Sequence, residues 1–355
     1  MKITNKPASK GLSQTPKKIQ FEGWAAAPIK ELHIQPGNGP SFLPFIHELN
    51  SKCKDYFKIV VQLADGLVVD MKKIKLDEYK KIKGSTELFW GQDNKIFFEN
   101  DKLGIFSESK DPITASMFAK KLRIKTEIIK LETQGGNCFL GKKPNGETYA
   151  LVGKDALDGN DKITVAKSLN VKVENLHLIS QPNFHLDMVV RPLTYPYVLV
   201  GDPKLTAEIV KKGLNQNQCE NFDIKYFKTI GREYASTNQT VNELKSHGFE
   251  PILVPGLIAG RRGVNFMNAI VHQKPDGKLV YITNKTNIGL NDGINFKKIF
   301  ENDVRSKCPQ IDKFIYIDGK GHVQEALTRF LGGTHCMTCE RPDFEKWNEI
   351  LKNTK

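Results

Sequence analysis

Cys336, in the segment Gly332-Gly333-Thr334-His335-Cys336, is the residue of this chain best suited to covalent chemistry. Paired glycines let the backbone turn tightly and leave a thiol presented, and a neighbouring cation favours the thiolate that attacks. A cysteine nucleophile also needs a base, which a histidine elsewhere in the chain can supply. His185 is a candidate, in Phe184-His185-Leu186-Asp187-Met188. That alternation predicts a strand, which places His185 and Asp187 on one face. Burying both is costly unless they have partners or a task. Asp93, in Trp90-Gly91-Gln92-Asp93-Asn94, is a carboxylate on another predicted strand. A buried carboxylate needs a cation, and a substrate can be that cation.

Plainer readings stand beside these. A cysteine is commonly a small buried hydrophobe, a single strand histidine is commonly structural, and Asp93 can pair with a lysine or cap a turn. Cys336-Met337-Thr338-Cys339 has the C-x-x-C spacing of metal and redox sites. No second such pair occurs, which argues against a four-cysteine zinc site.

The elements that must position these residues recur along the chain as hairpin, helix and strand. The clearest copy runs from Asn265 to Asn284, with a turn at Pro275-Asp276-Gly277, then the helical stretch INFKKIFENDVRSK and the strand KFIYIDG. NCFLGKKPNGETYALVG turns at Pro144-Asn145-Gly146 and leads to KITVAKSLN and ENLHLIS. LFWGQDNKIFFENDKLGIFSES and HLDMVVRPLTYPYVLVGD begin further copies. FKIVVQLADGLVVD and HCMTCERP, the latter with helix DFEKWNEILKN, read as fragmentary first and last copies, giving about five in all. Asp93, Asn137, His185, Asp187 and Cys336 all fall on or beside the first strand of a copy. Radial repetition of such units would bring them to one axis; an ordinary α+β domain is the alternative.

Composition sets the outer bounds. Lys and Arg number 53 against 40 Asp and Glu, a net charge of +13. The lysines are dispersed, and no zinc-finger, helix-turn-helix or RNA-recognition pattern accompanies them, so no specific nucleic-acid partner is expected. No apolar run approaches the roughly 18 residues of a membrane span. The basic, polar start reads as a flexible tail over residues 1–18, with 19–355 as a single catalytic domain. The six cysteines are scattered, and no secretory signal precedes them. That points to the cytoplasm, with export lacking a classical signal peptide as the other option.

Taken together, the motifs resemble the guanidine-modifying (pentein) superfamily of arginine, peptidylarginine and agmatine deiminases, amidinotransferases and dimethylarginine hydrolases. WGQDN is similar to the W-x-x-D segment of agmatine and peptidylarginine deiminases, and FHLDMVV to the family's H-x-D/E strand. QGGN resembles its E-G-G-N/D/S turn, and GGTHCMTCERP the terminal stretch of arginine deiminases. NFMNAIVH is similar to a strand of peptidylarginine deiminases. The resemblance implies an α/β fold, a five-bladed propeller of hairpin-helix-strand units with the site on its axis. It implies that Cys336 attacks a guanidinium carbon, that Asp93 and Asp187 clamp the guanidinium nitrogens, and that His185 moves protons. Trp90, Asn137, Arg261 and Arg262 are the further candidates for substrate binding, although the two arginines are equally well read as surface charges.

Departures from the family pattern are Gln134 where an acid often precedes the glycines, with Glu132 two residues earlier, and a short stretch ahead of Asp93. The expected activity is a deiminase converting arginine, within a protein or peptide, to citrulline and ammonia through a thiouronium intermediate. An agmatine deiminase or amidinotransferase acting on a small guanidino compound is the nearest alternative, and a non-catalytic binding protein on this scaffold the other. No metal or cofactor is expected, and no D-x-D-x-D-G loop signals calcium, although some peptidylarginine deiminases depend on it.

Overall fold

In the computed structural model, which describes residues 22–34, 43–62, 68–71, 95–106, 112–129, 136–154, 157, 159–181, 185–213, 237–259, 262–285, 295–329 and 332–353, both Pro-Asx-Gly segments turn the chain as predicted. Gly146 and Gly277 take φ of 89° and 78°, the left-handed region that glycine adopts without steric cost. Asn145 Oδ1 accepts from Glu147 N at 3.0 Å and Asp276 Oδ1 from Lys278 N at 3.1 Å, so each turn is closed by its own side chain.

These turns join strands Cys138–Lys142 to Thr148–Gly153 and Ile270–Gln273 to Leu279–Asn284 in antiparallel pairs. A helix follows each pair, Lys162–Ser168 in one case and Phe296–Lys307 in the other. The chain then returns as a strand parallel to the second of the pair, Leu176–Ile179 or Ile311–Ile317. A third copy uses Lys95–Phe97, Leu103–Phe106, helix Pro112–Leu122 and Thr126–Ile129. A fourth uses Val190–Pro192, Tyr197–Asp202, helix Pro203–Gly213 and Glu250–Pro255.

The remaining copy is assembled from the two ends of the described chain. Thr338–Pro342 pairs antiparallel with Ile29–Ile34, helix Leu43–Cys53 follows, and Lys58–Gln62 lies parallel to Ile29–Ile34. Val68–Asp70 adds an antiparallel edge. The two fragments that look incomplete in the sequence therefore belong to one sheet. Partners so distant in sequence leave no local signature of their pairing. Five mixed sheets on one plan and a two-stranded ribbon, Leu257–Ala259 with Arg262–Val264, account for the strands of the described residues.

The segment around His185 departs from the predicted strand. His185 itself is extended, but Leu186–Met188 form one 3₁₀ turn, and the strand starts only at Val190. The reason lies in where the amides go. Leu186 N donates to Asn137 Oδ1 at 3.1 Å and Asp187 N to Gly136 O at 2.8 Å. Those donors are spent on the preceding unit, so they are not offered to a sheet ladder. The two side chains therefore do not share a strand face.

The largest apolar cluster lies beneath this region and includes Phe139, Leu186, Met188, Ile282, Cys336 and Met337 together with Leu32 and Phe45. Each large apolar side chain buried there contributes roughly 1.5–3 kcal/mol before entropy is counted, which is what holds the polar groups above it. Among the described residues no helix is long and apolar enough to cross a membrane.

Candidate active site

The polar groups of interest sit immediately before the first strands of their units. Asn137 precedes Cys138–Lys142, Asp187 precedes Val190–Pro192, Asn268 precedes Ile270–Gln273, and Cys336 precedes Thr338–Pro342. Long-range hydrogen bonds tie three of these together. Cys336 Sγ accepts from Asn268 Nδ2 at 2.8 Å and directs its S–H to Asp187 Oδ2 at 3.3 Å. The same Asn268 amide nitrogen donates to Asp187 Oδ2 at 2.8 Å.

The loop carrying the thiol hangs from two asparagine side chains. Asn268 Oδ1 accepts from His335 N at 2.9 Å and Cys336 N at 3.2 Å. Asn284 Oδ1 accepts from Thr334 N at 2.8 Å and Thr334 Oγ1 at 2.9 Å. Asn284 Nδ2 in turn donates to the backbone oxygens of Asn265 and Asn268 at 3.0 and 3.2 Å. A Cβ on Gly333 would lie 2.7 Å from Asn284 Oδ1 and 2.8 Å from Asn268 Oδ1. Glycine at this position is therefore a steric requirement of the cradle.

Asp187 is wholly buried and uses its two oxygens differently. Oδ2 meets Asn268, Cys336 and, at 3.0 Å, His335 Nδ1. Oδ1 is buried and has no hydrogen-bond partner among the described residues. Such an orphan costs free energy unless a donor arrives. Behind His335 the polar chain continues, with Nε2 3.4 Å from Glu340 Oε1 and that oxygen 3.6 Å from Arg191 Nη2. Arg191 Nη2 also donates to Trp24 O at 2.8 Å. The Phe139 ring stacks on His335, with centroids 5.5 Å apart, and carries the Arg191 guanidinium 5.1 Å from its centroid.

The electrostatics around Cys336 favour the protonated thiol. Burial, followed by the Asp187 charge, pushes Cys336 well above the usual thiol range. Burial pushes His185 down to about 3 against the pull of Asp187, so its ring is neutral near pH 7. A cation arriving beside Asp187 would offset the carboxylate and favour the thiolate.

Of the residues singled out in the sequence, Cys336 and Asp187 are brought into contact, and His185 is buried two positions from Asp187. Asn137 has a positioning part: its Oδ1 accepts from Leu186 N and, at 2.8 Å, from Gln181 Nε2. Arg262 lies on the strand Arg262–Val264. Trp90, Asp93 and Arg261 lie outside the described residues, as do the tail over 1–18, Glu132 and Gln134. Cys339 faces away from Cys336 into a different cluster with Phe97 and Phe118, its Sγ 3.7 Å from Lys95 O. Among the described residues no three His, Cys, Asp or Glu side chains gather to hold a metal ion.

Sequence reasoning missed Asn268, Asn284, Arg191 and Glu340, and treated His335 only as a neighbour of the thiol. Arg191 did carry a signal, as a lone charge closing the apolar run Met188-Val189-Val190. The asparagines carried none, because an amide is as common in an exposed turn as in a buried cradle.

No family model and no curated protein sequence matches the chain. Solved structures do. The agmatine deiminase of C. jejuni superposes with a TM-score of 0.55 at 16% identity, covering 92% of this chain and 96% of that one. The fold is similar to that of agmatine deiminases. A second structure, provisionally assigned as an agmatine deiminase, gives a TM-score of 0.52 at 10% identity with the same coverage of both chains, 92% and 96%. The likeness extends over nearly the whole chain and is a likeness of fold.

Proposed function

We propose that this protein is a cysteine-nucleophile deiminase that hydrolyses the guanidinium group of a small guanidino compound of the agmatine type. The observation that carries the reading is the unpartnered Asp187 Oδ1, buried beside a protonated thiol whose sulfur is already fixed by Asn268. A guanidinium satisfies that oxygen with a charge-assisted N–H donor and brings its carbon to the sulfur. The expected substrate shifts from peptidyl-arginine to a small guanidine because two solved structures of similar fold bear the agmatine deiminase name. The WGQDN and NFMN segments keep peptidyl-arginine as the second reading.

In this account the five sheets are blades around a common axis, with the ends before their first strands turned inward. Asp93 stands two positions before Lys95, as Cys336 stands two before Thr338 and Asn268 two before Ile270. That correspondence supports Asp93 as the second clamp on the guanidinium.

Substrate charge next to Asp187 lowers the thiol's proton affinity, and neutral His185 takes the proton. The thiolate adds to the guanidinium carbon, and ammonia leaves with the proton that His185 returns. Water, deprotonated by the same imidazole, attacks the S-alkylthiouronium carbon, the C–S bond breaks, and the ureido product departs with the thiol restored. Net consumption is one water per ammonia released, with no redox change.

The test is ureido and ammonia formation from agmatine, free arginine and an arginine-containing peptide side by side, with Cys336→Ala as control. Agmatine turned over fastest and only by the wild type supports the proposal. A glycine-dependent product would point to amidino transfer, and binding without turnover of any of the three to a non-catalytic scaffold.

A further inference from the structure

We infer that His335 is a positioning residue which, through Nδ1, fixes the rotation of the Asp187 carboxylate so that Oδ2 serves the protein and Oδ1 is left for substrate. The inference rests on the proposed guanidine chemistry, and deepens it by adding a histidine distinct from His185. Three observations converge. An ionised carboxylate can only accept, so the 3.0 Å contact makes His335 Nδ1 the donor to Oδ2. The ring cannot turn easily, because Phe139 is stacked on it and His335 is entirely buried. Its other nitrogen faces a second buried carboxylate, Glu340, itself beside the buried Arg191. The charged groups facing the ring are thus Asp187 on one side and Glu340 on the other, with Arg191 beyond. The backbone on either side of this ring is held by Asn268 Oδ1, which accepts from both His335 N and Cys336 N. Two adjacent residues therefore carry the nucleophile and the group that aims its carboxylate partner.

Two substitutions separate the two ring nitrogens. In His335→Asn the amide nitrogen takes the place of Nδ1, whereas in His335→Gln it takes the place of Nε2. If Nδ1 aims Asp187, His335→Asn keeps kcat within about tenfold of wild type and His335→Gln lowers it about 100-fold, the scale of a roughly 1 Å misplacement, with KM moving little. A merely structural histidine would give losses that follow the unfolding midpoint, without regard to which nitrogen is replaced. That result, or a more active His335→Gln, overturns the inference. A spectroscopic reading needs no turnover: a downfield imidazole N–H proton resonance, assigned by its loss in His335→Gln, should persist in Cys336→Ala and vanish in Asp187→Ala. Its survival in Asp187→Ala would overturn the inference even if agmatine is a substrate. Its presence in a wild type that turns over no guanidine would leave the inference standing and sink only the proposed activity.

Discussion

The two ends of each hairpin solve opposite problems. At the far end, Pro144-Asn145-Gly146 and Pro275-Asp276-Gly277 reverse the chain with local hydrogen bonds and one left-handed glycine each. A Cβ on either glycine would meet nothing within 4 Å. At the near end, Asn137, Asp187, Asn268 and Cys336 are buried, and the hydrogen bonds of their side chains reach residues between 44 and 149 positions away. The far end needs only itself; the near end exists only once the units have assembled. The fold thus separates the part that shapes the chain from the part proposed to do chemistry.

Substitutions at the near end should break function, and those at the far end should cost only stability. The largest effect is expected of Cys336→Ala, which removes the proposed nucleophile: turnover should fall by about 10⁴-fold or more with the unfolding midpoint little changed. Asp187→Asn comes next. The amide can still present an oxygen to Asn268 and His335, but it puts N–H groups where Oδ1 was. Loss of the charge should cost about 10³-fold in kcat/KM, near 4 kcal/mol and the scale of breaking a buried ion pair. Because Asp187 also helps raise the Cys336 thiol, thiolate absorbance in this variant should appear at lower pH than in wild type.

Gly333→Ala sharpens the comparison, since its Cβ would press on two asparagine side chains. It should cost about 1–3 kcal/mol by overpacking and lower kcat as well, as urea unfolding and steady-state kinetics would report. Acid should act at the near end through His185. Unfolded, this group binds its proton near 6.5; folded, only near 3. The unfolded state therefore holds more protons in that window, and stability is lost as pH falls through 6.5 towards 3. The unfolding free energy from urea titration should drop by up to about 2 kcal/mol between pH 6.5 and about 5, and His185→Gln should flatten the slope. His177 and His272, both held near 4, act in the same direction, so part of the slope remains. The smallest effect belongs to the far end: Gly277→Ala, at φ 78°, should cost about 1 kcal/mol and leave kcat unchanged.

The same contrast explains what the sequence made legible. Hairpin turns, helix Lys162–Ser168, helix Phe344–Asn353 and strand Ile311–Ile317 follow from local composition and periodicity, and they stand where expected. Cys336 and Asp187 were recognisable because a thiol after two glycines and a carboxylate in an apolar run are chemically conspicuous. The cradle of Asn268 and Asn284 was not, because its bonds connect different units and an amide gives no chemical hint of burial. The 3₁₀ turn at Leu186–Met188 replaced a predicted strand for a related reason: its amides answer to Gly136 and Asn137, some fifty positions earlier. The pairing of Thr338–Pro342 with Ile29–Ile34 closes the chain's ends into one sheet and is equally invisible to local pattern.

The most direct test of the central claim is to mix wild-type protein with agmatine, quench in acid within a turnover and map the cysteine peptides by mass spectrometry. The account predicts a covalent adduct of substrate less ammonia on Cys336 alone, absent from Cys336→Ala, with a ureido product in the unquenched sample. An unmodified Cys336 with no ammonia released from agmatine, arginine or an arginine-containing peptide would contradict it.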